Sequence, residues 1–205
     1  MTDTRISQYY FCMQKLVKLK QVAKAISGYT IRQCVVESSV GPTRILQAKN
    51  LQDSPYVFAQ NLTRCDIYTS HTAAFIVNGD VAIGSRGVFR AAVVHADEKV
   101  LAASSVYLLR VRDQNTVLPE YLASYLNSAT GQKRLYPHLT SGTIRTLPKK
   151  SLDNIEILLP SLEQQKIIVR LSESVREQGR LLNDKIRIQK NIINGIFTRM
   201  ETSLS

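Results

Sequence analysis

The chain has 205 residues and a formal net charge of +11, and its isoelectric point is near 9.7. This length fits one ordinary domain plus one long element, and the ordinary apolar content excludes a largely disordered chain. The sequence has neither a run of about 18 apolar residues, which a membrane-spanning helix needs, nor the pattern of a secretory signal peptide at its N-terminus, so no membrane-spanning segment is expected.

The N-terminal part of the chain predicts little regular structure. We expect a tail or a weak helix over residues 1–14, and then a short amphipathic helix that Ser27-Gly28 ends. The apolar residues of this helix recur at helical spacing and are Leu16, Leu19, Val22, Ala23 and Ile26. Short strands are predicted at Val35-Val36 and from Arg44 to Ala48, around the Gly41-Pro42 turn.

The middle of the chain has the composition of β-strands. Asn78-Gly79 is the strongest short hairpin signal, and it predicts a turn between strands at Ala73–Val77 and Val81–Ile83. Ala91–His95 and Ser105–Val111 also predict strands, because Val, Leu and Tyr are frequent in them.

The segment that follows predicts a helix, a loop and a last strand. Leu118–Ser128 is predicted to be helical, with Pro119 in its first turn. Residues 137–148 predict a loop, and Ile155–Leu159 predicts a strand. Because strands and helices are segregated along the chain, the pattern favours an α+β fold over a doubly wound sheet.

The last quarter of the chain predicts one long helix. Ser161 can cap it, because Gln164 lies three residues later, as in a capping box. Its apolar face comprises Ile168, Leu171, Val175, Leu182, Ile186, Ile193 and Ile196. At 1.5 Å per residue the helix would be about 60 Å long, which is more than one small domain can cover and indicates a spacer or pairing helix. Gly179 and Gly195 could divide it, since each costs about 1 kcal/mol against alanine, but a continuous or gently broken helix is favoured.

Four segments carry a pattern of motifs in a fixed order. They are Val77–Gly87 with its Gly-Asp pair, Pro119–Leu126 with two Tyr-Leu pairs, Ser141–Leu152 with Gly-Thr, and Leu158–Gln164 with Leu-Pro-Ser-Leu-Glu-Gln. Together they resemble the specificity (S) subunit of type I restriction-modification enzymes. The resemblance extends over residues 15–200, and its specificity lies in the order and spacing of the motifs.

This resemblance implies an architecture and a function. A mixed α/β target recognition domain would occupy residues 1–160, and a long coiled-coil-forming helix would occupy residues 161–205. The usual S subunit has two recognition domains and two long helices, whereas this chain has room for one of each and resembles a half-subunit. The implied function is sequence-specific binding of double-stranded DNA that guides a DNA methyltransferase (modification) subunit, with a restriction motor subunit as a further potential partner.

Two segments of the chain are basic and contain no acidic residue. Residues 5–32 hold six basic side chains, and residues 133–150 hold five. Such segments suit contact with DNA phosphates, because each neutralised phosphate releases counterions. A solvated basic surface, RNA or an anionic membrane would explain the charge equally well.

The candidate DNA contacts lie in predicted loops, where a rigid scaffold can carry them. Arginine and lysine form hydrogen bonds to the edge of guanine, and asparagine forms them to adenine. Serine and threonine bond to base edges with less selectivity. The candidates are Lys49, Asn50, Arg86, Arg90, Ser141, Thr143, Arg145, Lys149 and Lys150. Base-reading positions vary between members of the resembled family, so each candidate could contact a base, a phosphate or neither. Tyr9-Tyr10-Phe11 could stack on bases, although a packing role is favoured.

Candidate catalytic groups are few. The sequence lacks a P-loop, a dinucleotide-binding loop, a Gly-x-Ser-x-Gly elbow and the adjacent prolines of the amino-methyltransferase motif, and its three histidines are isolated. Asp80 with Asp97-Glu98-Lys99 weakly matches the carboxylates and lysine of magnesium nucleases. We favour structural roles, because Asp80 follows a turn and residues 97–99 resemble a polar hairpin tip. No catalytic site, metal or cofactor is therefore predicted.

The predicted function is a non-catalytic, cytoplasmic DNA-recognition subunit that acts as a homodimer. Cys12, Cys34 and Cys65 form no Cys-x-x-Cys pair or zinc spacing, so we expect free thiols in a reducing compartment. The main alternative is a stand-alone dimeric nucleic-acid-binding regulator that recruits no enzyme. The magnesium nuclease is a weaker alternative.

Overall fold

A computed structural model describes residues 15–31, 38, 40–51, 54–69 and 72–202. The chain divides into two compact units, and the boundary lies between Lys166 and Ile167. Predictions for residues 1–14, Val35-Val36, and the thiols of Cys12 and Cys34 fall outside the described residues. In the part of the chain that the structure describes, no helix combines the length and hydropathy needed to cross a membrane.

Ten strands and five α-helices lie in the described residues. The strands are β1 Lys15–Lys18, β2 Ala23–Ser27, β3 Thr43–Leu46, β4 Tyr56–Phe58, β5 Thr63–Cys65, β6 Val81–Gly84, β7 Ala91–His95, β8 Val100–Ala102, β9 Val106–Val111 and β10 Glu156–Leu159. The helices are α1 Leu19–Val22, α2 Pro119–Asn127, α3 Ala129–Leu135, α4 Lys149–Asn154 and α5 Leu162–Thr202. Short 3-10 turns include Ala48–Leu51 and Tyr136–His138.

The first unit contains three sheets, and the two larger ones share a core. Five strands follow the order β2-β9-β6-β7-β4, three follow the order β5-β3-β8, and β1 pairs separately with β10. Leu46 of β3 and Ala102 of β8 belong to the same buried cluster as Ala82, Val94 and Leu108 of the larger sheet, so the core lies between these two sheets. β6 is buried along its whole length, which explains why its sequence is an unbroken apolar run.

The predicted helix over residues 16–26 is wrong, because β1 and β2 occupy this segment and only the single turn of α1 is helical. The spacing of the apolar residues in this segment fits both the period of a helix and the period of a strand. Ala23 and Ala25 are buried on either side of exposed Lys24, which is the alternation of a strand. Antiparallel pairing of β1 with β10 and of β2 with β9 decides in favour of the strands.

The predicted hairpin at Asn78-Gly79 is also wrong, although Gly79 adopts the φ of +87° that a tight turn uses. The preceding segment pairs elsewhere, since Phe75 bridges to Leu101 and the Ile76 N–H donates to the Val100 carbonyl at 3.0 Å. β6 pairs with β7 and β9 instead.

Residues 97–99 do not form the predicted hairpin tip either. They connect β7, in the five-stranded sheet, to β8, in the three-stranded sheet. The polar composition that suggested a tip therefore belongs to a crossover between the two layers.

Other predicted elements are confirmed. Helix α2 begins at Pro119 and buries Tyr121, Leu122 and Leu126. Strands β6, β7, β9 and β10 lie where the composition placed them, and residues 139–148 lack regular structure. Mixed sheets with segregated helices confirm the α+β class.

Most of α5 forms the second unit. The predicted capping box forms, because the Ser161 N–H donates to Gln164 Oε1 (3.1 Å) and the Gln164 N–H donates to Ser161 Oγ (3.4 Å). The helix continues through Gly179 and Gly195 without interruption, so the alternative of a divided helix is not observed. The seven predicted stripe residues are 39% to 69% exposed in this chain.

Candidate nucleic-acid interface

A tight turn over residues 85–90 lies at the end of the five-stranded sheet where β6 ends and β7 begins. A Cβ on Gly84 would lie 1.7 Å from the carbonyl oxygen four residues later, so only glycine permits this approach. Gly87 has a φ of +70°, in the left-handed region. Arg86 and Arg90 are both exposed on this turn.

The second part of the site is the loop of residues 140–146, which its two terminal threonines close. The hydroxyl oxygens of Thr140 and Thr146 are 2.8 Å apart, the Thr146 N–H donates to Thr140 Oγ1 (3.0 Å), and the Thr140 N–H donates to the Thr146 carbonyl (2.9 Å). Every residue between them is exposed. These residues are Ser141, Gly142, Thr143, Ile144 and Arg145. Three of the predicted DNA contacts therefore lie on one closed loop.

Backbone hydrogen bonds join this loop to the turn just described. The Gly87 N–H donates to the Arg145 carbonyl at 3.0 Å, and the Leu147 N–H donates to the Ser85 carbonyl at 2.9 Å. Leu147 is buried, so the end of the loop is anchored in the core. The fold thereby brings Arg86 and Arg145, which are distant in sequence, onto one surface.

A cleft of about 650 Å³ lies beside the turn. It is lined by Gly87, Val88, Phe89, Arg90, Asn127, Ala129, Gln132 and Tyr136. Two amide side chains hold its walls in place. Asn127 accepts from the Ala91 N–H (2.9 Å) and donates to the Ala91 carbonyl (2.7 Å). Gln132 donates to the carbonyls of Phe89 (3.1 Å) and Leu126 (2.6 Å).

Lys49 and Asn50 lie in a 3-10 turn that is tied to the same end of the sheet. The Ala48 N–H donates to Ser105 Oγ at 3.2 Å, and the carbonyl of Ser105 accepts from the Ser85 N–H at 2.8 Å. Lys49 is exposed. The side-chain oxygen of Asn50 accepts from a backbone N–H of its own turn at 2.9 Å, which orients the amide group.

Lys149 and Lys150 begin α4, directly after the anchored end of the loop. Lys149 forms an ion pair with Asp153 one helical turn later, at 3.1 Å. Lys150 is exposed. Both lysines therefore lie next to the loop. The ion pair with Asp153 makes Lys149 less available to a phosphate than Lys150.

Arginines hold two of the three carboxylates that suggested a nuclease, namely Asp80 and Glu98, whereas Asp97 is exposed. Asp80 is 2% exposed and accepts from Arg110 Nε (2.9 Å) and Nη2 (2.7 Å). Its hydrogen bond raises the pKa of Arg110. Glu98 accepts from both Arg44 and Arg64. Both carboxylates therefore have structural partners within the fold.

By contrast, no ion pair within the described residues involves Arg86, Arg90 or Arg145. Their positive charge is available to an anionic partner. An array of cationic side chains on a fixed backbone is suited to phosphates and to the acceptor groups of guanine.

Sequence reasoning missed two exposed residues in this region. Ile144 is 63% exposed and Tyr136 is 51% exposed. The signal for Ile144 was its place inside a polar, glycine-containing loop, whereas no pattern in the sequence marks Tyr136. Cys65, the described cysteine, is a buried free thiol as predicted, and burial raises its pKa.

The sequence of residues 14–194 matches the type I restriction modification DNA specificity domain. The chain belongs to this family. The resemblance to S subunits that the motifs predicted is therefore confirmed. Membership of this family implies recognition of DNA sequence, and the family is the recognition component rather than the catalytic component of type I systems. None of the curated proteins matches the chain at a significant level.

Solved structures share the fold of this specificity domain. An S subunit of a type I restriction-modification system from M. genitalium aligns with a TM-score of 0.60 at 14% identity, over 88% of this chain and 44% of that one. The HsdS subunit from Thermoanaerobacter tengcongensis gives a TM-score of 0.59 at 22% identity, over 83% and 39%. A structure concerned with complex assembly and conformational transition of the type I R-M system gives 0.61 at 20% identity, over 87% and 44%. The specificity domain thus spans less than half the length of each.

Proposed function

We propose that this specificity domain recognises a defined sequence in double-stranded DNA through the 85–90 turn and the 140–146 loop. The supporting observation is that backbone hydrogen bonds join the turn, which carries Arg86 and Arg90, to the closed loop with Arg145 and its hydroxyl side chains. None of these three arginines forms an ion pair among the described residues. Arginine can donate two hydrogen bonds to guanine, and serine or threonine can bond to several base edges. A loop that is already ordered loses little entropy on binding.

The lysines have a different proposed role. Lys49, Lys149 and Lys150 border the arginines and would neutralise phosphates, which raises the affinity for every sequence alike. Lys150 would contribute more than Lys149, because Lys149 must share its charge with Asp153. Ser141, Thr143 and Asn50 would contact base edges.

We further propose that the two parts of the chain have different functions. Residues 1–160 would recognise DNA, and residues 161–205 would pair two copies of the chain and present them to a DNA methyltransferase subunit. A restriction motor subunit is a further potential partner. The exposed apolar stripe of α5 supports the pairing, because a stripe of this length needs a covering surface. The chain would supply specificity, and its partners would supply the chemistry.

The test of DNA recognition begins with selection from a library of random duplexes by the full chain. Affinity for the selected duplex and for a scrambled one is then measured by fluorescence anisotropy at several salt concentrations. Arg145→Ala should weaken binding to the selected duplex about 5- to 150-fold, which corresponds to about 1–3 kcal/mol, and should relax the sequence preference. The paired change Lys149→Ala with Lys150→Ala should weaken both duplexes equally and flatten the salt dependence.

A matched control is available on α5. Lys185→Ala with Lys190→Ala removes the same charge from exposed helix positions and should leave the salt slope nearly unchanged. A chain that selects no sequence, or that binds with no salt dependence, would contradict the proposal. Co-purification from native cells followed by mass spectrometry separates a guiding subunit from a stand-alone regulator, because only the former should retain a methyltransferase.

A further inference from the structure

The 140–146 loop displays an apolar side chain that the proposed polar contacts do not use. Ile144 is 63% exposed, and its neighbours Thr143 and Arg145 are exposed as well. A single exposed apolar residue is ordinary on protein surfaces and indicates nothing by itself. The fixed backbone and the positive charges around Ile144 indicate that its exposed side chain has a role in binding.

The backbone that carries Ile144 is fixed on both sides. The Thr140–Thr146 hydrogen bonds close the loop beneath it, and the Gly87 N–H holds the carbonyl of the next residue, Arg145, at 3.0 Å. Isoleucine is also stiff at χ1, because it is branched at Cβ. Ile144 is therefore presented in a nearly constant position, and a partner would bind it at a small entropic cost.

The surroundings of Ile144 define what that partner can be. Arg145 follows it in the chain, and Arg86 forms a backbone bridge with Thr146 at the base of the loop. This concentration of positive charge attracts the DNA backbone, so a loop tip that enters a groove meets base edges. The C5-methyl group of thymine is the apolar group that base pairs present in the major groove, and apolar side chains contact it.

We propose that Ile144 packs against the 5-methyl group of a thymine in the DNA target, so that the loop selects one A·T pair by apolar contact beside its polar contacts. This inference rests on the proposed recognition of DNA by the same loop. It adds a residue that determines specificity and names the chemical group that the residue selects.

The experiment uses the duplex selected by the full chain. Each thymine of the recognised site is replaced in turn by deoxyuridine, which lacks only the methyl group. At one thymine in each half of the site, the wild type should lose about fourfold in affinity, which corresponds to about 0.8 kcal/mol for one buried methyl-sized group. Ile144→Ala removes this contact from both halves of the site at once, so it should bind the thymine duplex about 16-fold more weakly, and it should no longer distinguish thymine from uracil at these positions.

Val77→Ala is the matched control, since Val77 is another exposed β-branched residue, 53% exposed, and lies before β6 rather than after it. It should leave both affinities unchanged. Thermal unfolding checks that Ile144→Ala remains folded. Uracil tolerated at every position by the wild type would overturn the inference, as would an Ile144→Ala variant that still distinguishes thymine from uracil. A wild type that selects no duplex would instead overturn the underlying proposal of DNA recognition.

Discussion

The side-chain oxygen of Gln165 accepts a hydrogen bond from the backbone N–H of Leu118 at 2.9 Å. The amide group of the same glutamine donates to the carbonyls of Thr116 and Pro160, each at 3.0 Å. Gln165 is fully buried. One side chain thus connects the first turn of α5 to the segment that begins α2, and it uses its donors and its acceptor to do so.

Gln165→Ala should lower the free energy of unfolding by about 2–3 kcal/mol, because it removes three hydrogen bonds, one of them buried and two partly buried. Chemical denaturation of the full chain measures this loss. Gln178→Ala makes the same substitution at an exposed position of the same helix and should change stability by less than about 0.5 kcal/mol. Equal losses in the two variants would show that Gln165 has no special role.

Asp80→Asn should also destabilise the fold. It leaves Arg110 without its carboxylate partner and weakens two hydrogen bonds at a buried position. Breaking a buried ion pair costs about 3–5 kcal/mol, and the partial exposure of the arginine reduces the expected loss to about 2 kcal/mol. Asp97→Ala changes an exposed carboxylate and serves as the control. Magnesium-dependent DNA cleavage that follows the wild-type chain through purification and disappears in either variant would instead support the nuclease alternative.

The fold could be predicted from the sequence in those segments where the spacing of the apolar residues fits only one kind of secondary structure. Helix α5 and helix α2 are such cases, because their apolar residues recur at helical spacing and capping signals mark their starts. The segment that forms β1, α1 and β2 is the opposite case. Its apolar residues fit a helix and a strand equally, and the deciding hydrogen bonds come from strands that lie far away in the sequence.

The candidate site shows a similar limit. The loop with Ser141, Thr143 and Arg145 could be predicted from its composition and from the family resemblance. Its attachment to the turn that carries Arg86 could not, because backbone pairing between distant segments leaves no local signal in the sequence. Asp80 was assigned to a turn, but its ion-pair partner Arg110 was not foreseen for the same reason.

Dimerisation through α5 should depend on its apolar stripe. The seven stripe residues lie within about 80° of the helix circumference at 3.6 residues per turn, and each is exposed in the described chain. Leu182→Asp or Ile186→Asp would bury a charge in the paired interface and should give monomers. Asn191→Asp adds the same charge on the opposite side of the helix and should leave the dimer intact. Light scattering at micromolar concentration distinguishes these outcomes, and a monomeric wild type would contradict the pairing.

The symmetry of such a dimer determines the form of its DNA site. Two identical specificity domains related by a two-fold axis should bind two identical half-sites in inverted orientation, separated by a spacer of any sequence. Helix α5 has 41 residues and is therefore about 62 Å long at 1.5 Å per residue. This length limits the separation of the half-sites to about 18 base pairs at about 3.4 Å per pair.

Selection from random duplexes should therefore recover an interrupted palindrome with the wild type. The monomeric Leu182→Asp variant should recover a single half-site with lower affinity, because it loses the second domain but keeps the first. Where a methyltransferase partner is present, maps of methylated adenines from cells with and without the gene should show the same interrupted palindrome. An uninterrupted motif would contradict the symmetric dimer. Two unlike half-sites would instead indicate that the chain pairs with a different specificity-type chain, since identical domains cannot recognise different sequences by the same contacts.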